Sequence, residues 1–481
     1  MSLAKRSVTS VGWNVAVSVI QILVGFGRSV LLARLLPVEV FGVYTFAGSI
    51  VMLSGVLPSF GMGGAFSHRS EATKDEGEAA AVHLTLELIF VTVWMAILMG
   101  SALVFTTGQT RLALLVLTLT QGGVMLTNTP SLILVRRVVH RRLALLQSLN
   151  ILLSAVTALL LAWGGVELWA LLSTDIVTLV LSIFFLYIWR PVWRPRLTWS
   201  PPAMRYFLRY GSRNILAQGL LRALDRVDDL WTGIFLGDTA MGYYSRAYAF
   251  ATYPRMILAQ PVNKVAIGTY AEVAESRKRL SQAFFRTNAL LIRSGFFLAG
   301  ILALAAPEFI RILLGAKWLP MLDAFRLMLL FTLFDPIKMT VANLFLAVGR
   351  PEKVLRARAI QLAVMAIGLF VLGRPWGIAG VALAVDLMLI VGIVILLHQA
   401  REYVDFSIRT LFLAPGIGIF LGVILAQIAM TLPGILGSPW RTGFVKTAVF
   451  TLVYGASLFA LERRQVVEMI SMLSKLMRQV D

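Results

Sequence analysis

The sequence predicts an all-α polytopic membrane protein. About fourteen transmembrane helices are expected, as two pseudo-twofold-related six-helix lobes followed by two further helices. Three observations predict this. Hydrophobic residues make up 58% of the 481 and charged residues only 14%, with mean hydropathy +0.81, where soluble domains carry about 25% charge. Apolar stretches of about 20 residues or more, the length that crosses a bilayer, recur from one end of the chain to the other. A hairpin in the second half also repeats, at an offset of 200 residues, the pattern of one in the first.

Spans are expected at 8–35, 39–64, 79–105, 111–135, 143–163, 167–189, 212–236, 240–262, 282–305, 322–348, 357–373, 377–398, 410–430 and 442–461. Lys5 and Arg6 precede the first apolar segment as they would in a signal peptide. That segment runs past Gly25 to about Leu36 without a small-x-small cleavage site, so it reads as a retained span. Lys and Arg then set the orientation: counting span edges with the loops, 28 fall on the side of the N-terminus and six on the other, with ten inside spans. The basic side faces the cytoplasm, which places both termini there. It also accounts for most of the net charge of +20 without a nucleic-acid partner.

The expected organisation is an N-terminal lobe (1–190), a cytoplasmic linker (191–211), a C-terminal lobe (212–400), two additional helices (401–461) and an amphipathic cytoplasmic tail (462–481). Prolines and arginines stiffen the linker and suit it to the headgroup surface, and an interfacial helix is expected after Pro201–Pro202. In the tail, Val466, Val467, Ile470, Leu473, Leu476 and Met477 form one apolar side, as in a helix lying on a membrane. A partner-binding tail is the alternative.

Offset by 200, LLARLLPVEVFGVYTFAGSI (Leu31–Ile50) lies on WTGIFLGDTAMGYYSRAYAF (Trp231–Phe250). Leu36, Gly42, Tyr44 and Ala47 meet Leu236, Gly242, Tyr244 and Ala247. Six spans per copy give both halves one orientation, hence an axis along the membrane normal with substrate sites between the halves. The same offset sets Arg28 opposite Asp228.

In the seventh span Arg222, Asp225, Arg226, Asp228 and Asp229 share one helical face, within roughly 160° at about 100° per residue. An ionised side chain mid-membrane costs about 2.5–3.5 kcal/mol, so this stripe should face other helices or a wet cavity.

Chemistry of other kinds is poorly provided for. There is no cysteine, and four scattered histidines, His68, His83, His140 and His398, make no metal motif. No Gly-rich Lys-Ser/Thr loop is present for nucleotide. The outer loops around 306–321 and 431–441 are short for a membrane enzyme, so none is expected.

LLARLLPVEVFGVYTFA and LDRVDDLWTGIFLGDTAMGYYSRAYAFATYP resemble the two signatures of the oligosaccharide flippase (polysaccharide transporter) family. That family belongs to the multidrug/oligosaccharidyl-lipid/polysaccharide exporter superfamily. The linker WRPRLTW (Trp193–Trp199) followed by LRYG (Leu208–Gly211) is similar too, with Pro37 standing where glycine is commoner. The resemblance implies a flippase working by alternating access in a prokaryotic cytoplasmic membrane, for cell-surface polysaccharide synthesis. Its cargo would be a polyprenyl-(pyro)phosphate-linked oligosaccharide, and its partners membrane lipids and polysaccharide biosynthesis proteins. No cofactor is implied, and coupling to H+, Na+ or membrane potential stays open. Lipid II transport and cation-coupled multidrug export are the alternatives, the latter poorly served by only Glu87 and Asp175 in the first-half spans.

Moving a pyrophosphate head needs cations, and arginine keeps its charge and matches phosphate oxygens. Ten basic residues stand against seven acidic ones within spans. Arg28, Arg222, Arg226 and Arg293 are the expected pyrophosphate ligands, with Asp225, Asp228 and Asp229 as acidic cavity partners. The alternatives are i,i+3 and i,i+4 neutralisation of Arg222 and Arg226 by Asp225 and Asp229, and pairing of Arg28 with Asp228. Asp335 and Lys338 read as a structural pair. Tyr244 and Tyr248 are candidates for stacking on sugar, or members of an interfacial belt. Gly237, Gly242 and Pro254 read as turn and kink elements.

Overall fold

The computed structural model describes residues 20–68, 75–137, 139–431 and 438–478. Among these, helices account for nearly every element and no strand occurs. Ten helical stretches are long and apolar enough to cross a membrane. The difference from fourteen has three sources. Residues 8–19 of the first span lie outside the described residues, and α1 (20–35) is its remainder. Spans seven and eight run together as one helix, Pro201–Pro254 (α10), too polar to be counted. Spans eleven and twelve form one stretch, Pro351–Ala400.

The chain divides into two compact units, residues 24–245 and residues 246 onward with 20–23. The division falls inside α10 and not at the proline-rich join, so the seventh span groups with the first unit. A helix does begin at Pro201, as expected, but it continues unbroken into the seventh span. It breaks only at Gly237, whose φ of 83° and ψ of 178° are costly for any residue with a Cβ.

In the first unit α2 (Val38–Ser54) follows Pro37, which is extended at φ −60° and supplies the N-cap. Short helices α3 (Val56–Ser59) and α4 (Met62–Ser67) continue it across a break. α5 (Glu76–Phe105) starts where the Asp75 carboxylate accepts from the amides of Gly77 (2.8 Å) and Glu78 (3.1 Å), which satisfies two orphan donors. α6 (Gly108–Met125), α7 (Asn128–Arg136), α8 (His140–Trp163) and α9 (Glu167–Ile183) complete the unit. A core of Met62, Phe66, Val82, Leu86, Ile133 and Phe207 joins α4, α5 and α7 to the start of α10. Large apolar side chains such as Ile97, Leu160 and Trp163 point outward, as a lipid-facing surface requires.

The duplicated hairpins meet each other reciprocally. A Cβ on Gly42 would lie 1.8 Å from the carbonyl oxygen of Asp238, and one on Gly242 would lie 2.2 Å from that of Val38. Moving Gly42 forward by 200 and Asp238 back by 200 yields the other contact, the signature of a twofold-related pair. Thr239 donates to Glu39 at 3.1 Å, a pair joined by the same offset. Gly242 is therefore not a turn residue as expected; it sits within α10 and permits the close approach.

In the second unit run α11 (Gln260–Glu272), α12 (Arg277–Leu304), α13 (Ala306–Phe309), α14 (Leu322–Ala347), α15 (Pro351–Gly368) and α16 (Arg374–Ala400). α17 (Ile408–Ala429) and α18 (Pro439–Arg478) follow. These last two helices are packed into the unit. The buried Phe450 ring lies against Gly300 of α12 and Gly422 of α17, where any Cβ would clash. α18 bends at Glu462 (φ −138°, ψ 39°) before the tail, whose side chains from 466 lie outside the described residues.

Candidate functional site

The charged stripe of α10 is not one surface. Asp228 and Asp229 are buried, while Arg222 and Asp225 are exposed and Arg226 lies between. Arg226 reaches Asp229 at 3.0 Å, so the i,i+3 neutralisation weighed above is formed. Ser49 of α2 donates to the same carboxylate at 2.9 Å. Asp228 instead accepts from the Tyr244 hydroxyl at 2.6 Å, across the break at Gly237. Arg222 makes no ion pair among the described residues.

In the first copy of the hairpin Tyr44 plays the part of Tyr244. Its hydroxyl donates to Asp175 of α9 at 2.8 Å. Arg28 of α1 donates to the neighbouring Thr174 at 2.5 Å, and its charge acts on Asp175. A tyrosine thus serves a carboxylate in both copies, though from different spans. Tyr244 is fully buried by this role, which corrects the expectation of sugar contact: its ring has no face to offer. Tyr248, in the other unit, packs on Phe331 with ring centroids 5.7 Å apart.

Arg293 also requires correction. Its side chain is 3% exposed, with Nη2 at 2.5 Å from both Glu462 and Gln465. The Tyr454 hydroxyl donates to its backbone carbonyl at 2.8 Å. It is an anchor for α18 at the bend, with its guanidinium engaged by Glu462 and Gln465. Near the other end of α18, Lys446 pairs with Glu308 at 2.7 Å. Both acids fall outside the expected spans, so the margin of ten cations over seven acids narrows. Arg293→Ala would leave Glu462 without its cation and is expected to cost about 2 kcal/mol, read as a lower unfolding temperature in detergent. Arg293→Ala with Glu462→Gln should recover part of it.

A further positive site lies where the sequence reading saw only the Asp335–Lys338 pair. Asp335 of α14 is held by two cations, Arg255 at 2.7 Å and Lys338 at 2.7 Å. Both lie over the Phe331 ring, at 5.4 and 5.6 Å from its centroid. A cavity of about 350 Å³ opens beside them, lined by Arg255, Gln260, Asn263, Asp335, Met339 and Asn343 among others. The Asn263 side-chain oxygen is buried and accepts nothing among the described residues. Two cations around one carboxylate leave a positive charge, and the amides supply donors and acceptors. Such a wall can receive an anion joined to a hydroxyl-rich group. The Asp335–Lys338 pair forms as expected at i,i+3; Arg255, 80 residues from Asp335, gave no sequence signal beyond its charge.

The arrangement of helices is the fold of the multidrug/oligosaccharidyl-lipid/polysaccharide transporters, as two solved structures show. The structure of lipid II flippase MurJ in an inward closed conformation superposes with a TM-score of 0.75, over 94% of this chain and 99% of that one, at 17% identity. A multidrug resistance MATE family transporter in an inward-facing conformation gives 0.61 over 80% and 95%, at 16% identity. The chain itself belongs to the polysaccharide biosynthesis protein family, whose profile matches residues 31–323. It is similar to lipopolysaccharide biosynthesis protein WzxC of Escherichia coli (strain K12), 21% identical over 82% of this chain and 81% of that protein. Succinoglycan biosynthesis transport protein ExoT of Rhizobium meliloti (strain 1021) is 26% identical over 66% and 64%.

Proposed function

We propose that this protein is a flippase. It carries a polyprenyl-(pyro)phosphate-linked oligosaccharide from the inner to the outer leaflet of the cytoplasmic membrane, for cell-surface polysaccharide synthesis. The observation that carries this reading is the cavity beside the Arg255–Asp335–Lys338 trio, whose wall carries Arg255 and the amides of Gln260, Asn263 and Asn343, groups that suit a phosphate-sugar head. Arg28 and Arg222 are proposed as further contacts along the way, and the polyprenyl tail stays in lipid. The polysaccharide family and the names of its relatives support the same cargo class. The 28-to-six distribution of basic residues supports cytoplasmic termini. We assign the chain transport and no catalysis, with two lobes rocking in alternating access.

Deletion of the gene followed by lipid analysis tests this. One polyprenyl-linked glycan should accumulate on the cytoplasmic leaflet and disappear on complementation. Accumulation of lipid II would keep the mechanism and change the cargo. No accumulation, with new sensitivity to cationic drugs, would overturn the proposal in favour of drug export.

A further inference from the structure

The first unit contains a second polar cluster, remote in sequence from every arginine discussed so far. His83 and Glu87 stand one turn apart on α5, 2% and 3% exposed. The Asn128 amide of α7 donates to Glu87 Oε1 at 2.9 Å, and the Thr129 hydroxyl donates to Oε2 at 3.3 Å. His83 Nδ1 lies 2.9 Å from that hydroxyl and 3.6 Å from Oε2. Thr129 therefore bridges imidazole and carboxylate.

No lysine or arginine pairs with Glu87 among the described residues. The other neighbours supply no counter-charge among the described residues. α3 and α4 carry no titratable group, and α4 contributes Phe66. The charged residue of α6, Arg111, bonds the Thr106 carbonyl at the far end of α5. From α7, Arg136 turns to the carbonyl and ring face of Phe66 (3.3 and 5.6 Å). Beyond α9, Tyr187 donates to the Leu126 carbonyl. From α10, Phe207 meets the His83 ring edge-on at 5.6 Å, opposite Phe66 at 5.7 Å.

A lone carboxylate costs several kcal/mol in such surroundings unless it is neutralised. One added proton does this, whether as a carboxyl O–H at Glu87 or as an imidazolium on His83 facing the carboxylate. The Thr129 hydroxyl can pass it between the two by exchanging its donor and acceptor roles. The proton comes from hydronium, which leaves as water, and returns to water on release.

We propose that His83 and Glu87, bridged by Thr129, form a proton-binding site whose loading and unloading is coupled to transport. The inference rests on the transporter reading above and adds the coupling ion. The link to α10 is physical. The chain beside the cluster is broken at Phe60, held at φ 42°, and Gly61, at φ 66°. A left-handed phenylalanine is strained, and such strain gathers at moving sites. Phe60 packs on Phe90 at 5.5 Å, one turn beyond Glu87. Its carbonyl oxygen presses on Gly211 of α10, where a Cβ would stand 2.2 Å away. A change of charge at the cluster thus acts through Phe207 and Phe60 on the helix that carries Arg222 and Arg226.

The chain has no cysteine, so labels can be placed at will on the full-length protein. Infrared titration in nanodiscs from about pH 5 to about pH 9 should show loss of a buried carboxyl C=O band. Glu87→Gln should lack that band, and His83→Asn should keep it with a moved midpoint. Spin labels at Arg209→Cys and Lys278→Cys should report a distance distribution that changes with pH in the wild type. Glu87→Gln should hold the acid-form distribution at every pH. An infrared titration unchanged in Glu87→Gln, or a pH response that survives it, overturns the proposal; so does a wild type whose distances ignore pH. Should Glu87→Gln not fold, the moved midpoint in His83→Asn decides. Neither readout uses cargo, so failure here leaves the lipid-accumulation test of the flippase intact.

Discussion

Gly42→Ala is expected to destabilise the purified protein by about 3 kcal/mol or more, and Gly242→Ala to do the same. The added Cβ would fall 1.8 Å from the backbone oxygen of Asp238 in one case and 2.2 Å from that of Val38 in the other. Backbone cannot step aside as a flexible side chain can, so two helices must part. Gly48 is the control: it lies on the same helix α2 with nothing within 4 Å of a Cβ. Gly48→Ala should be neutral, or gain up to about 1 kcal/mol from helix propensity. Thermal unfolding in detergent measures all three. Because the two clashes open the same seam, the double variant should cost less than the sum of the singles. Equal losses at Gly42 and Gly48 would mean the seam is no more crowded than the rest of α2.

That seam also shows how far a sequence can be read. Four matches at an offset of 200 were enough to align the hairpins, and each aligned glycine sits against the backbone of the other hairpin. Their role was not legible, since a lone glycine in a helix, a turn or a crowded crossing looks the same in one sequence. Pairs on a single helix were legible because helix pitch fixes them: Arg226 with Asp229, and Asp335 with Lys338. Partners on different helices were not. Arg293 finds Glu462 across 169 residues and Arg255 finds Asp335 across 80, as helix rotation and tilt decide. His83 and Glu87 are an i,i+4 pair in plain view, yet their meaning depends on Asn128 and Thr129 arriving from another helix. Charge and hydropathy told which segments enter the membrane; they did not tell which cations were already spoken for.

Arg255→Ala is expected to reduce flipping about 10- to 100-fold, the loss of a charge-assisted contact worth about 1.5–3 kcal/mol. Protein level should hold, because Lys338 still neutralises Asp335 at 2.7 Å. Two readings of Arg255 must be separated: as a source of net positive charge for the cargo, or as a structural partner of Asp335. The native trio of Arg255, Lys338 and Asp335 carries one net positive charge. Arg255→Ala removes it, Asp335→Asn raises it to two, and the double variant returns it to one. If charge is what the anion feels, the double variant should flip better than Arg255→Ala alone, and Arg255→Lys should be better still, since it keeps the carboxylate as well. If Arg255 only braces Asp335, Arg255→Ala should lower the unfolding temperature, and the double variant should restore stability without flipping. Surface polysaccharide yield and the leaflet distribution of the lipid-linked glycan, measured beside protein level, tell the two apart. Because a guanidinium and an ammonium share one carboxylate next to a cavity with an unanswered Asn263 acceptor, the first outcome is the one expected.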